Sequence, residues 1–335
     1  MTYKRASTDW VAGSLGLSVH WTSHSKPLSG EAMDYHDAVN NFNLDGFINQ
    51  LKISGAKHLI FTTTHAEEYI AGPHPVMDYL LPGRSCKRDL LGELAQRLDD
   101  EKIRLIFYYN HSCNGNDDLP WKNAVGYVGA PLDLFAGRIM SIVEYMSRRY
   151  GNLISGWWFD SSYSLDPRGP VQGVSVPMGD WQFPWKALTA ATKSGNPESI
   201  VTYNAGIDFD YLYTTHQDYY AGETTSLKFQ PDGRYHGGLQ LHQWTCIDNR
   251  SWVHNKPDTP FESLLYNNEE LLAFTRKITG AGGAVTYNVE IDQTGLMNSR
   301  SVEQLKMISE NMHRPYNDSI VSNKERICKN EQLSM

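Results

Sequence analysis

Residues 156–163 read GWWFDSSY, so two tryptophans and a phenylalanine lead directly into a carboxylate, Asp160. A run this apolar reads as a strand covered on both faces, and such strands belong to parallel sheets. An acid has no place in the middle of such a strand. At the C-terminal end it does, because parallel α/β folds build their sites there. The same kind of run recurs along the chain: LGLSVHW (15–21), HLIFTTT (58–64), RLIFYYN (104–110), SIVTYNA (199–205), QDYYAG (217–222), GLQLHQW (238–244) and AVTYNVE (284–290).

Helical periodicity fills most of the spaces between these runs. Residues 44–55 put Phe47, Ile48 and Leu51 on one face, with Asn43 as the expected N-cap. Residues 88–102 carry Leu90, Leu91, Leu94 and Leu98 at helical spacing, and 131–149 carry Leu132, Phe135, Ile139, Ile142, Val143 and Met146. Further helices are expected over 262–278 and near 302–312, the last with Ser301 and Gln304 at capping-box spacing. This alternation predicts an α/β chain folded as a (β/α)8 TIM-like barrel, with an open doubly wound sheet as the alternative. The gaps around QDYYAG hold no convincing helix, so the barrel is expected to be irregular, with helices missing after strands 5 and 6. One catalytic barrel domain is expected over 1–313, followed by a polar tail over 314–335.

Composition narrows the classes of function. The chain has 335 residues and a formal net charge of −8, which argues against a nucleic-acid or anionic-membrane footprint. No apolar run approaches membrane-spanning length. No apolar leader is visible in MTYKRASTDW, so a cytoplasmic location is expected, or secretion if a leader has been removed. Cys86, Cys113, Cys246 and Cys328 are too scattered for a zinc or redox pair. His216, His242 and His254 with Asp218 match no metal-ligand spacing. TGAGGAV (279–285) follows a helix and opens a strand, the reverse of a phosphate-cradling loop, and reads as a turn.

The strand ends carry the chemistry: His20-Trp21, His65, Tyr109-Asn110-His111, Asp160, Asn204, Glu223, Trp244 and Asn288. Two carboxylates two strands apart, Asp160 and Glu223, can be aimed into one pocket. Retaining glycosidases need such a pair, one ionised as nucleophile and one holding its proton as general acid. Glu67, Glu262 and Glu290 are alternatives for the acid. Trp121, Trp181, Trp185, Trp244 and Trp252 lie in or beside loop-like segments, where a hydrophobic platform or the core could use them.

These motifs resemble those of the α-L-fucosidases of glycoside hydrolase family 29, from about Trp10 to about Ile308. GLSVHW resembles that family's strand ending in His-Trp-Gly, and YHDAVNNFNLDGFINQLKISGAKHLIFTTTHAEEY resembles its FN-x-x-x-F segment and Lys-His-His-Asp-Gly-Phe loop. RLIFYYNHS, GWWFDSSY, QDYYAGE and GAGGAVTYNV resemble its Tyr-Tyr-Ser, Trp-Phe-Asp-Gly, acid-bearing and Gly-Gly-Asn-x-Leu-Leu-Asn segments. That family's barrel also tends to lack its fifth and sixth helices.

The resemblance implies Asp160 as nucleophile and Glu223 as acid/base, with His20 and His65 bonding sugar hydroxyls and Tyr109 and Trp158 lining the sugar pocket. It implies no metal or organic cofactor. The strand ends add Trp21, Asn204 and Trp244 as substrate-binding candidates, and Glu67 in the loop after His65 is another. The expected function is a retaining, exo-acting hydrolase of a terminal α-L-fucoside or related deoxy or L-sugar. The expected partner is a carbohydrate or glycoside substrate, with no nucleic acid and no membrane, and either a monomer or a homo-oligomer. Some positions depart from the family. Thr22 follows His20-Trp21, Ala66 replaces the second histidine, Asn204-Ala205-Gly206 replaces Asn-Asp-Arg, and Ser161-Ser162 replaces the glycine after the nucleophile. The family's usual C-terminal β-sandwich is not expected within these 335 residues. These departures leave three alternatives open: a glycosidase for another sugar, a non-catalytic carbohydrate-binding descendant, and a barrel enzyme of another class, such as a metal-dependent hydrolase or lyase.

Overall fold

The computed structural model describes residues 4–65, 67–113, 118–170, 176–227 and 233–314. Ala66 and residues 315–335 of the expected tail lie outside the described residues.

Seven parallel strands form one curled sheet: β1 (Leu15–Val19), β2 (His58–Thr64), β3 (Arg104–Asn110), β4 (Ile154–Asp160), β5 (Ile200–Tyr203), β8 (His242–Cys246) and β9 (Ala284–Asn288). Their order is β5-β4-β3-β2-β1-β9-β8, so β5 and β8 are the two edges. The intervening β6 (Tyr235–His236) and β7 (Leu239–Gln240) make a small antiparallel hairpin outside the sheet.

The expected sixth strand is present only as an irregular link. Asp218 donates its backbone N–H to Val201 on β5. Further on, Trp244 of β8 donates to Gly222, and Thr224 donates back to Trp244. Residues 218–224 thus connect the two edges and satisfy backbone groups that an open edge would expose. The approach is close enough to require glycine: a Cβ on Gly222 would lie 1.8 Å from the His242 carbonyl oxygen, and its φ is +67°. Among the described residues no helix lies between Tyr203 and Tyr235, as the spacing predicts.

The helices follow their caps. α1 (Leu44–Ser54) starts where Asn43 accepts the Gly46 N–H and stops at left-handed Gly55. α2 (Leu90–Asp100) is capped by Asp89, and α3 (Leu132–Tyr150) is the long amphipathic helix. The shorter α4 (Trp185–Thr192) precedes β5 and opens with Trp185. α5 (Asn268–Gly280) begins six residues later than the pattern suggests, because the reciprocal capping box is Asn267 with Glu270. α6 (Ser299–Asn311) is capped by Asn298 rather than Ser301, whose hydroxyl instead donates to buried Asp248 at 2.6 Å. No helix of the described residues is long and apolar enough to cross a membrane.

Strand alternation sorts the side chains into two layers. Leu17, Leu59, Phe61, Leu105, Phe107, Tyr109, Trp157, Phe159, Val201, Val285 and Tyr287 pack with the helices in one cluster. Ile60, Ile106, Tyr108, Trp158, Ile200, Tyr219, Trp244 and Ala284 form the other, inside the curl of the sheet. Below that inner layer, His58 and His242 both bond Thr286 at 2.8 Å. Burial holds both imidazoles low, to about 3 and about 4, so they are neutral packing groups.

Candidate active site

The inner layer ends at the C-terminal mouth of the sheet in a pocket with about 340 Å³ of empty space, lined by His20, His65, Tyr108, Trp158, Asp160, Glu223, Trp244, Ser251 and Trp252. Asp160 is the last residue of β4. Four donors converge on its carboxylate: the Tyr108 hydroxyl at 2.5 Å, Asn110 Nδ2 at 3.2 Å, Asn204 Nδ2 at 3.0 Å and the Ser161 N–H at 2.7 Å. Donors alone surround it, as suits an anion. Ser161 adopts φ 57°, the left-handed region that a glycine would occupy without strain, which costs serine about 1–2 kcal/mol.

Glu223 sits on the link between β5 and β8 and is half-buried. Asn204 Nδ2 donates to its Oε2 at 2.6 Å, while the same nitrogen serves Asp160 Oδ1 at 3.0 Å. The 2.6 Å and 3.0 Å contacts together keep these two oxygens within 5.6 Å of each other, a limit compatible with the ~5–5.5 Å of retaining carboxyl pairs. Loss of hydration, followed by the charge of Asp160, pushes the Glu223 carboxyl up to about 8, with Asn204 opposing and Asp208 adding to the rise. Glu223 is therefore a carboxyl that keeps its proton at neutral pH, beside an Asp160 ringed by hydrogen-bond donors.

His20 bonds Asn288 Oδ1 through Nδ1 at 2.9 Å. An amide oxygen only accepts, so Nδ1 carries the proton and Nε2 is left as an acceptor. Burial, then the nearby His65, lowers this imidazole to about 3, so it is neutral. Asn288 Nδ2 donates to the Trp252 carbonyl at 3.1 Å, which fixes the amide's orientation and ties the Trp252 loop to His20. Trp252 has φ +66°, an uncommon conformation for a bulky residue. Beneath that loop, Glu290 Oε1 accepts from Asn249 at 2.8 Å and pairs with His254 at 2.7 Å.

The structure brings together His20, His65, Trp158, Asp160, Glu223 and Trp244 of the candidates named from sequence. It separates others. Tyr109 faces the outer layer and donates to buried Glu68 at 2.8 Å; the pocket tyrosine is Tyr108, one residue earlier and so on the opposite face of β3. Trp21 likewise points outward, packed on Tyr35 and Phe42 with its indole N–H on the Gln293 carbonyl. Glu67 is partly exposed, 3.8 Å from His24, and does not line the pocket. Asn204 has both amide hydrogens committed to the two carboxylates and its Oδ1 to the Gly206 N–H, so it positions the pair instead of presenting itself to a ligand. Of the alternative acids, Glu290 is locked beneath the Trp252 loop and Glu262 is exposed. Trp121 and Trp185 are core residues, Trp181 packs at the core's edge, and only Trp244 and Trp252 of the loop tryptophans reach the pocket. Sequence reasoning missed Tyr108: its face is set by the pairing of β3 with β4, which puts it in register with Trp158 and two residues before Asn110.

The two tyrosines give a paired prediction. Tyr108→Phe removes a donor from Asp160 and is expected to lower kcat about 10–100-fold with little change in Tm. Tyr109→Phe removes the partner of a buried carboxyl and is expected to cost about 1–3 kcal/mol in stability with kcat nearly unchanged. Steady-state kinetics and thermal melts of the two variants check both.

A parallel barrel with two such carboxyls joined across its C-terminal mouth has the architecture of a glycoside hydrolase. The α-L-fucosidase family model matches residues 2–315, and the chain belongs to that family and is a glycoside hydrolase. No curated protein matches the sequence. Among solved structures, an endo-fucoidan hydrolase of glycoside hydrolase family 107 is similar, with a TM-score of 0.66 at 16% identity over 91% of this chain and 93% of that one. The α-L-fucosidase isoenzyme 1 from Paenibacillus thiaminolyticus aligns with a TM-score of 0.62 at 17% identity, over 92% of this chain and 75% of that one. The α-L-fucosidase AlfC from Lactobacillus casei, in complex with α-L-fucose, gives 0.60 at 16% identity over 90% and 96%. This chain spans about half of another endo-fucoidan hydrolase, covering 53% of it with a TM-score of 0.68 at 14% identity.

Proposed function

We propose that the protein is a retaining, exo-acting glycosidase that removes a terminal α-L-fucosyl or closely related deoxy-L-sugar residue. The observation that carries this reading is the single Asn204 amide donating to both Asp160 and Glu223. In the first step an Asp160 oxygen attacks the anomeric carbon, the glycosidic C–O bond breaks, and Glu223 gives its proton to the departing oxygen. In the second, Glu223 takes a proton from water, the water oxygen attacks the same carbon, and Asp160 leaves as carboxylate. Configuration is retained because inversion occurs twice.

The pocket supports one-residue recognition. Trp158, Tyr108 and Trp244 wall it, with Trp158 and Tyr108 stacked at 5.4 Å and Trp158 and Trp244 edge-on at 4.3 Å. Such walls present apolar surface to a sugar face, while His20 Nε2 accepts from a ring hydroxyl. Trp252 and Ser251 also line this small pocket, whose size suits a single terminal residue. Hydrolysis of 4-nitrophenyl α-L-fucoside, followed by NMR of the first-formed sugar anomer, tests the reading. Release of the α anomer supports it. Release of the β anomer, or no turnover on any aryl glycoside of a broad panel, contradicts it.

A further inference from the structure

Of the tyrosines and tryptophans lining the pocket, Tyr108, Trp158 and Trp244 stand on β3, β4 and β8, whereas Trp252 lies on a turn six residues beyond the end of β8. Its ring sits 5.1 Å from that of His20 and 5.0 Å from that of Trp244. A φ of +66° costs a bulky residue about 1–3 kcal/mol, and such a backbone persists only where its surroundings hold it. The carbonyl of the same residue accepts the Asn288 N–H that orients His20, so a displaced turn would disturb two walls of the pocket at once.

Glu290 holds this turn from beneath. It is 1% exposed and has no part in the bond-breaking proposed above. Three donors converge on its carboxyl: Asn249 Nδ2 at 2.8 Å and His254 Nδ1 at 2.7 Å on Oε1, and the Glu262 N–H at 2.7 Å on Oε2. Asn249 opens the turn and His254 follows it, so one oxygen grips both ends. Between them Asn249 shapes the backbone. Its Oδ1 accepts the Ser251 N–H at 2.7 Å, its Nδ2 also reaches the Val253 carbonyl at 3.3 Å, and its carbonyl accepts the Trp252 N–H at 3.2 Å. Glu290 is itself fixed, its N–H donating to buried Asp248 at 3.0 Å and its carbonyl accepting from Asn298 at 2.8 Å. A buried carboxyl is costly unless its oxygens are bonded, and these bonds all end on the turn or on the loop behind it.

We propose that Glu290 is a positioning residue for the bound sugar, acting through the Asn249–His254 turn to hold the Trp252 ring in the pocket wall. A stacked ring meets the sugar in the ground state and the transition state alike, so its displacement raises KM and leaves kcat nearly unchanged. This role rests on the pocket's being the sugar site proposed above.

The test measures kcat, KM and competitive inhibition by L-fucose on an aryl α-L-fucoside, in wild type and in Glu290→Met, Asn249→Ala, Trp252→Ala and the Glu290→Met/Trp252→Ala pair. Glu290→Met and Asn249→Ala are each expected to raise KM and the L-fucose inhibition constant together, by about tenfold, with kcat within about threefold. In the Trp252→Ala background, Glu290→Met is expected to change KM less than about threefold, because the ring it positions is gone. Ser301→Ala is the structural control: it takes one donor from Asp248 and leaves the three donors of Glu290 in place. It is expected to lower Tm and to keep KM within about twofold. If Glu290→Met does not fold, Asn249→Ala carries the test, since it leaves the carboxyl two of its donors. In an active enzyme, an unmoved KM in the folded variants, the full rise persisting without Trp252, or an equal rise in Ser301→Ala would overturn this role alone. A wild type that neither hydrolyses an α-L-fucoside nor binds L-fucose would overturn the sugar reading, and this role with it.

Discussion

Asp160→Asn is expected to lower kcat on an activated aryl fucoside by about 10⁴-fold or more, with KM changed far less. The loss is that large because no neighbour can take the residue's place. Tyr108, Asn110, Asn204 and the Ser161 N–H all point donors at its oxygens, and none of these groups is a nucleophile positioned for attack. The amide keeps the shape of the side chain, and the Tyr108 hydroxyl can turn to accept from the new Nδ2. The variant should therefore fold, and circular dichroism with a thermal melt separates lost chemistry from lost structure. Activity within tenfold of wild type would remove Asp160 from the role.

Glu223→Ala is expected to cost about 10²–10⁴-fold in kcat/KM, least on substrates whose leaving group needs no proton, with azide restoring part of the rate on aryl glycosides. The pH profile should change with it. In wild type the rate falls as pH rises through about 8, because the required proton is lost there. The variant should lack that alkaline limb. Stability moves in the same direction. Glu223 binds its proton more tightly folded than unfolded, so stability falls as pH rises between the ordinary glutamate value and about 8. Glu223→Gln has no such penalty and is expected to melt several degrees higher than wild type above pH 8, with the gap closing below pH 5. An identical alkaline limb in wild type and variant would place the titrating acid elsewhere.

Much of this arrangement is readable from sequence, and the misses share a physical origin. The strand runs locate the sheet because strands buried on both faces leave an apolar signature that few other elements share. The run 217–222 carries that signature without forming a strand, since its residues are buried between β5 and β8 but bond to each at only a few points. Strand ends identify the pocket, yet not which of two adjacent aromatics enters it. Tyr108 and Tyr109 differ only in parity, and parity is fixed by the register of β3 against β4, where Asn110 pairs with Asp160.

Asn204 illustrates a second limit. Its position at the end of β5 suggests a ligand contact, but its two donors are already committed by the spacing of Asp160 and Glu223, which depends on the fold of two distant segments. Trp252 is placed by loop contacts at Asn249 and Asn288 and by an uncommon backbone angle, none of which has a local sequence signal. Ser161, by contrast, follows directly from the motif: the glycine usual at that position is explained by the left-handed turn that aims the backbone N–H at Asp160.

The central claim is that Asp160 becomes covalently attached to the sugar. The most direct measurement is to incubate the wild-type protein with 2-deoxy-2-fluoro-α-L-fucosyl fluoride, which forms the glycosyl-enzyme quickly and releases it slowly, and to map the labelled peptide by mass spectrometry. One adduct per chain is expected, on the peptide carrying Asp160. An adduct on any other carboxylate, or steady turnover of the parent fucosyl fluoride with no adduct trapped, would contradict it.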